Sequence, residues 1–252
     1  MSAFPLWVTF LATLALVLSA AEIGYRIGGA RQKASTKERE APVGGMVAAS
    51  LGLLAFLLAF TFGFAANLFQ AKREALLEEA NAIGTAYLRA ELLSDEARRA
   101  VRDLLREYVD VRLAAASTGD TDTAIAHSEE LHASLWAEAV TAASATPTPI
   151  VGLFVQSVNE VIDMHAKRIM VSLRSQIPST IWTALFAIAF LAFGTMGYQS
   201  GLSANRSFAI LAVGIIFSAV VWLIADLDTA QQGLLRVSQQ TMLDLRDTMS
   251  VP

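Results

Sequence analysis

The side chains that could do chemistry are few, and their spacing matches no catalytic or metal-binding motif. The three histidines are His127, His132 and His165. Two histidines that bind one metal from a helix lie three or four residues apart, whereas His127 and His132 are further apart, so we expect solvent-facing histidines in an acidic helix. Gly28-Gly29 and Gly44-Gly45 are not phosphate loops, because no strand precedes them and no Gly-Lys-Ser/Thr follows. We therefore expect no enzyme activity, no metal site and no cofactor.

A row of phenylalanines is more informative. Phe56, Phe60 and Phe64 recur every four positions in a stretch without charges, so they share one side of a helix. Identical helices around a symmetry axis would bring these rings together as an apolar constriction, and channels can gate by dewetting such a constriction. A similar row lies within residues 186–193, and phenylalanine also commonly faces lipid. The row therefore predicts either a pore neck or a lipid-facing surface.

Seven polar residues lie where two of the uncharged stretches end. They could bind ions or a partner helix, or they could cap helices and form ion pairs at the membrane interface. The two aspartates among them could pair with the arginines and fix the C-terminal tail, or they could line an ion vestibule. This polar membrane-exit cluster consists of Glu79, Asn81, Thr85, Arg89, Asp226, Asp228 and Arg236.

These residues must be positioned by an unusually apolar chain. Of its 252 residues 54% are hydrophobic, the mean hydropathy is +0.49 and only 17% are charged, against ~25% in ordinary soluble domains. No charged residue falls in residues 1–21, 41–71, 175–205 or 207–225. Together with the absence of cysteine, this distribution excludes a soluble globular enzyme, a disordered chain and a disulfide scaffold. The sequence is that of a membrane protein.

Crossing a hydrocarbon layer of ~30 Å takes ~20 apolar helical residues. Four segments meet this requirement, and aromatic residues near several of their ends suit the headgroup layer. The first could instead be a cleaved signal peptide ending at Ser19-Ala20-Ala21, but no basic residue precedes it, which favours an uncleaved anchor. The predicted spans are residues 4–21, 44–69, 180–199 and 207–226.

The charges do not settle the orientation. Four spans place the N-terminus, the region between spans two and three and the C-terminal tail on one side of the membrane. Five basic residues in the loop from Arg26 to Arg39 favour a cytoplasmic position for that loop. Five basic residues also flank spans two and three on the opposite side, so the counts nearly tie.

Residues 72–174 have the pattern of amphipathic helices, with 11 basic and 16 acidic residues. Ser94-Asp95-Glu96 predicts a new helix start, residues 117–122 predict a loop with a second N-cap, and Pro147 and Pro149 separate a further helix. Apolar residues at heptad spacing predict a seam that either forms the internal core or joins subunits. The two rows of this seam are Leu76, Ile83, Ala90, Ala97, Leu104 and Val111, and Ala80, Tyr87, Ser94, Val101 and Tyr108.

The predicted fold is an all-α membrane protein with four transmembrane helices and an amphipathic helical domain inserted between spans two and three. The predicted domains are residues 1–71, a first transmembrane pair with a charged loop at 22–42; 72–177, the extramembrane helical domain; 178–227, a second transmembrane pair; and 228–252, a C-terminal tail helix.

Two runs carry a resemblance to a known family. Glu-Ala-Asn-Ala-Ile-Gly-Thr-Ala-Tyr-Leu-Arg, beginning at Glu79, and Asp-Leu-Asp, beginning at Asp226, resemble a bacterial family of unknown function, the bestrophin-like membrane proteins. The resemblance covers nearly the whole chain and implies an integral protein of the bacterial inner membrane.

The chain is more distantly similar to the bestrophins, which are homopentameric anion channels with a hydrophobic neck on the second helix. This likeness implies a neck at Phe56 and Phe60, with Phe64 as a further candidate. The Arg-Trp-Trp-type signature that follows the bestrophin neck is replaced by residues 67–69, and no acidic calcium-clasp motif is recognisable. Bestrophins also keep the large helical region in the cytosol, whereas the basic loop from Arg26 to Arg39 favours the reverse.

Two functional hypotheses follow. The first is a homo-oligomeric ion channel, with a pentamer as the candidate assembly, embedded in the lipid bilayer and passing small inorganic ions. The net charge of −5 on residues 72–174, from 11 basic and 16 acidic residues, leaves a cation pathway open beside an anion pathway. The second is a non-conducting scaffold or sensor whose helical domain binds partner proteins. Neither involves nucleic acid.

Overall fold

The computed structural model describes residues 5–33, 40–206, 208–229 and 235–250, without the side chains of residues 40–42 and 174. This described part is helical and contains no strand. A 3₁₀ turn at Ala90–Leu92 and a π-helical turn at Met170–Arg174 interrupt the α-helices. The α-helices in it are α1 Leu6–Lys33, α2 Glu40–Arg89, α3 Asp95–Thr118, α4 Thr121–Ala145, α5 Pro149–Ile169, α6 Ser179–Leu202, α7 Phe208–Thr229 and α8 Gln240–Ser250.

Four of these helices, α1, α2, α6 and α7, are long and apolar enough to cross a membrane. Each carries one predicted span, apart from residues 4 and 207, which lie outside the described residues. The prediction of an all-helical chain with four apolar helices is therefore confirmed.

The predicted charged loop at 22–42 is partly wrong, because α1 continues through Lys33. An ion pair one helical turn apart, between Arg26 Nε and Glu22 Oε1 at 2.9 Å, supports this extension. Residues 34–39, which include the end of the predicted basic loop, lie outside the described residues.

The chain divides into two compact units. The first unit comprises residues 1–69 and 176–236. Its core lies between α1, α6 and α7, with Val17, Leu185, Phe193, Phe217 and Val221 among the buried residues. Glycines of α1 and α6 face each other there, so the two backbones pack in direct contact.

The second unit comprises residues 70–175 and 237–252. Its helices begin and end where local sequence dictates. Gly119 adopts a left-handed φ of +78° at the end of α3, and the Asp120 side chain then accepts a hydrogen bond from the Thr123 N–H to begin α4. The Thr148 hydroxyl caps α5 in the same way, by accepting from the Val151 N–H, with Pro149 in the first turn. The predicted helix breaks are therefore confirmed.

The heptad seam lies inside this second unit. Before Ser94 its residues, such as Ile83, are buried in the core. After Ser94 the row of Val101 and Tyr108 stays fully buried, whereas in the other row the buried position moves by one residue, so Leu105 is fully buried in place of Leu104. The two alternatives for the seam were an internal core and a contact between subunits. The structure places the seam residues before Ser94 in the core of a single chain.

Candidate functional site

One side of α2 in the first unit is exposed along its length. The side chains of Phe56 and Phe60 are 70% and 60% exposed, although both are large and apolar. They lie within a series of exposed residues that recurs every three or four positions. The other members of this exposed α2 face are Gly45, Ala49, Gly52, Leu53, Ala59 and Asn67.

The opposite side of α2 is buried. Leu54, Thr61 and Ala65 face the interior of the first unit. Phe64 lies between the two sides and packs partly against the cluster that contains Ala65 and Ile224. The structure therefore brings Phe56 and Phe60 together on the exposed face and places Phe64 at its edge.

The exposed α2 face carries more small residues than the exposed side of α7, whereas α6 is similar to α2, with Ala184 and Ala187 exposed beside Phe190. Exposed residues of α1 and α7 are mostly bulky, as Trp7, Ile27 and Ile216 illustrate. On α2, glycine and alanine lie beside the exposed side chains of Met46, Leu53 and the two phenylalanines, and the face ends at the polar Asn67. Small residues are typical of helix surfaces that approach another helix closely in a membrane.

In the second unit, α2 also has an exposed side. Gln70, Glu74, Leu77, Asn81 and Thr85 are all exposed, and the Gln70 Nε2 donates a hydrogen bond of 3.0 Å to Glu74 Oε1. This side contains two members of the polar membrane-exit cluster, Asn81 and Thr85. Arg89, a third member, donates from its Nη1 to the Leu153 carbonyl at 2.7 Å and so ties α2 to the start of α5.

The aspartates of the polar membrane-exit cluster accept hydrogen bonds from backbone amides. Asp226 is buried and its Oδ2 accepts from the Leu235 N–H at 3.0 Å. The Asp228 Oδ1 accepts from the Ile177 N–H at 2.9 Å. These contacts hold the segments that precede α6 and follow α7, and Arg236 is exposed.

Glu79 departs most from its predicted setting at a membrane exit, because its side chain is fully buried. The Tyr108 hydroxyl donates to Glu79 Oε1 at 2.6 Å, and Arg112 Nε lies 3.3 Å from the same oxygen. Arg168 donates to Glu79 Oε2 and also to Gln239 Oε1, the latter at 3.2 Å. One carboxylate thus joins α2, α3 and α5.

Two histidines complete this buried polar cluster, and the prediction that they face solvent is wrong. His165 Nδ1 lies 2.9 Å from the Tyr108 hydroxyl, and the His132 ring lies 4.8 Å from the Tyr108 ring. Both histidines are buried, whereas His127 is partly exposed and pairs with Glu107 at 3.1 Å. Position along the sequence could not reveal this, since the partners come from α2, α3, α4 and α5.

Burial shifts the pKa values of two members of the cluster, Tyr108 and His132. Burial and the negative charge of Glu79 raise the pKa of Tyr108 well above its usual value. Burial, the neighbouring His165 and the positive charge of Arg112 lower the pKa of His132 to about 4, although Glu79 opposes this shift. Within the part of the chain that the structure describes, no group of three or more acidic or histidine side chains is arranged to hold a metal ion.

Residues 11–242 match the family model of the bestrophin-like domain. The chain belongs to the bestrophin-like family. It is also similar in structure to a mutant of a bacterial bestrophin homolog from Klebsiella pneumoniae, with a TM-score of 0.69 and 12% sequence identity over 97% of each chain. A search of the curated proteins gives no match.

The family and the fold agree with the four apolar helices. This bestrophin-like chain is an integral membrane protein. The resemblance noted at Glu79 and Asp226 is confirmed, and it extends over nearly the whole sequence.

Proposed function

We propose that this bestrophin-like protein forms a homo-oligomer, a pentamer by analogy with bestrophins, that conducts small inorganic ions across the bacterial inner membrane. Phe56 and Phe60 form the apolar neck of the pathway, with Phe64 at its margin. The observation that carries the proposal is the exposed α2 face, on which two phenylalanines stand among glycines and alanines.

The composition of this face favours a position at the symmetry axis of an oligomer rather than a position in contact with lipid. A helix against lipid gains nothing from glycine, whereas glycine and alanine let identical helices approach one another. Five Phe60 rings at one level would narrow the pathway and repel water, and a dewetted constriction is a gate. The polar Asn67, further along the same exposed face, suits a pathway that becomes wet again beyond the neck.

In this proposal the amphipathic helical domain forms a vestibule outside the bilayer. The exposed side of α2 in the second unit lines it, with Glu74 as the carboxylate nearest the span in sequence. Carboxylate rings favour cations in channels. The vestibule therefore does not share the anion preference that the likeness to bestrophins implies.

Replacing Phe60 by Ala should raise basal ion flux severalfold, because it removes the ring that narrows the neck. Flux is measured in proteoliposomes of purified protein under chloride and potassium gradients. Phe62→Ala is the matched control, since Phe62 is a partly exposed phenylalanine on another side of the same helix. It should leave flux unchanged.

Equal flux in wild type, Phe60→Ala and Phe62→Ala, all shown to be folded and inserted, would exclude Phe60 from the neck. A monomeric mass in mild detergent would count against any axial pathway. If neither wild type nor either variant shows flux, the result favours the second hypothesis, a non-conducting scaffold or sensor.

Replacing Glu74 by Gln should lower the permeability of potassium relative to chloride, because it removes a carboxylate from each subunit at one level of the vestibule. Reversal potentials in planar bilayers measure this ratio. Glu78→Gln is the control, because the Glu78 carboxylate is already paired with Lys167. An unchanged ratio in Glu74→Gln would remove Glu74 from the ion pathway.

The second hypothesis, a scaffold or sensor, is favoured by exposed apolar side chains in the second unit. Leu88 is 69% exposed, and Ile150 and Leu153 at the start of α5 are about half exposed. Arg89 joins these two segments through its bond to the Leu153 carbonyl. A partner helix could bury this surface, and Leu88→Ser would then abolish binding without altering flux.

A further inference from the structure

Two buried imidazoles meet inside the second unit, and each has a nitrogen without a partner. The rings of His132 and His165 lie 4.7 Å apart at an interplanar angle of 81°. Only 6% and 4% of the two residues are exposed. Within the described residues, the Nε2 atoms of both rings are buried and make no hydrogen bond. A buried polar atom without a partner is destabilising, so the pair needs an explanation beyond packing.

The hydrogen bonds of Tyr108 fix the state of His165. A carboxylate can only accept, so the Tyr108 proton lies in its 2.6 Å bond to Glu79 Oε1. The Tyr108 oxygen therefore accepts from His165 Nδ1, which must carry a proton. In neutral His165 the Nε2 atom is therefore an acceptor without a hydrogen-bond partner among the described residues.

Charged groups surround the pair from every helix packed against it. Glu79 comes from α2, Tyr108 and Arg112 come from α3, and His165 and Arg168 come from α5, opposite His132 on α4. One carboxylate thus faces two guanidinium groups. A proton added to His132 would enter a buried site that already holds more positive than negative charge.

We propose that His132, packed against His165, forms a pH-sensitive latch that holds α4 against α3 and α5 when the His132 ring is neutral and releases α4 in acid. The latch works because the imidazolium form of His132 is more stable in water than in the buried site. Protonation therefore draws the His132 ring out of its contact with Tyr108 and His165. This latch does not depend on ion conduction by the protein.

The direction follows from linkage. The ordinary histidine pKa is about 6.5, and in the folded chain the pKa of His132 is about 4. The neutral ring therefore contributes its full stabilisation above pH ~6.5, and this contribution is lost as the pH falls toward about 4. Between pH 7 and pH 5 the two values predict an increase of about twentyfold in the opening equilibrium of α4.

Hydrogen–deuterium exchange of the full chain in nanodiscs tests the latch, with rates corrected for the intrinsic effect of pH. Amides of Thr121–Ala145 should exchange about twentyfold faster at pH 5 than at pH 7. His132→Phe keeps a ring that cannot be protonated and should abolish this difference. His127→Phe, which alters a partly exposed histidine of the same helix, should retain it.

His132→Gln serves if the phenylalanine variant does not fold, because the amide is also neutral at both pH values. The latch is overturned if wild type shows no faster exchange of α4 at pH 5. It is also overturned if a folded His132 variant shows the same increase as wild type.

Discussion

Replacing Glu79 by Gln should lower the free energy of unfolding of the chain by about 3–5 kcal/mol, as expected when one partner of a buried ion pair is removed. The glutamine keeps the volume of the side chain but removes its charge. Arg168 and Arg112, both nearly buried, then lose the carboxylate that compensates them. The Tyr108 hydroxyl also loses a charged acceptor.

The measurement is thermal or denaturant unfolding of the protein in mild detergent. Glu78→Gln is the matched control, because Glu78 is the preceding residue and its pair with Lys167 is about half exposed. Exposed pairs contribute about 0–1 kcal/mol, so this variant should unfold almost like wild type. A similar small loss in both variants would show that the Glu79 cluster does not hold the second unit together.

Much of the fold could be predicted because local rules decide it. A helix needs ~20 apolar residues to cross a membrane, and stretches this long without charges are rare in soluble proteins, so four apolar helices were predictable. Capping residues such as Asp120 and Thr148 act on amides two or three residues away. Their effect is visible in the sequence without knowledge of any distant contact.

The buried polar cluster could not be predicted, because its members are distant in the chain. Glu79 lies 29 residues before Tyr108 and 89 before Arg168. Nothing in the spacing of His132 and His165 distinguishes them from exposed histidines. The one available signal in the sequence was the position of Glu79 beside Ala80 and Ile83, which belong to the two heptad rows. A charge buried at such a position needs a partner from another helix.

The phenylalanine row was predicted with a small geometric error. Each step of four residues rotates 40° past a full turn of a helix with 3.6 residues per turn. Phe64 is therefore rotated about 80° from Phe56, which is enough to move it from the exposed α2 face to the edge of the core. A spacing of three and four in alternation, as in Phe56, Phe60 and Gly63, follows one face more closely.

Replacing Gly197 by Ala should disrupt the contact between α1 and α6 and leave little folded protein. A Cβ at position 197 would overlap the Ala21 carbonyl oxygen and lie 2.8 Å from the Ala21 Cα. These are backbone atoms, so no side chain can rotate to relieve the overlap. Overpacking commonly costs about 1–3 kcal/mol, and we expect a loss at or above the upper end because a whole helix must move.

Gly194→Ala is the matched control, one turn away on the same helix. A Cβ there would meet its nearest neighbour, the Ala20 carbonyl oxygen, at 3.8 Å, an ordinary van der Waals distance. Alanine also favours a helix over glycine by up to ~1 kcal/mol. Gly194→Ala should therefore fold like wild type and unfold at the same or a slightly higher temperature in detergent. Equal recovery of the two variants would mean that α1 and α6 do not pack backbone to backbone, since only that contact distinguishes the two glycines.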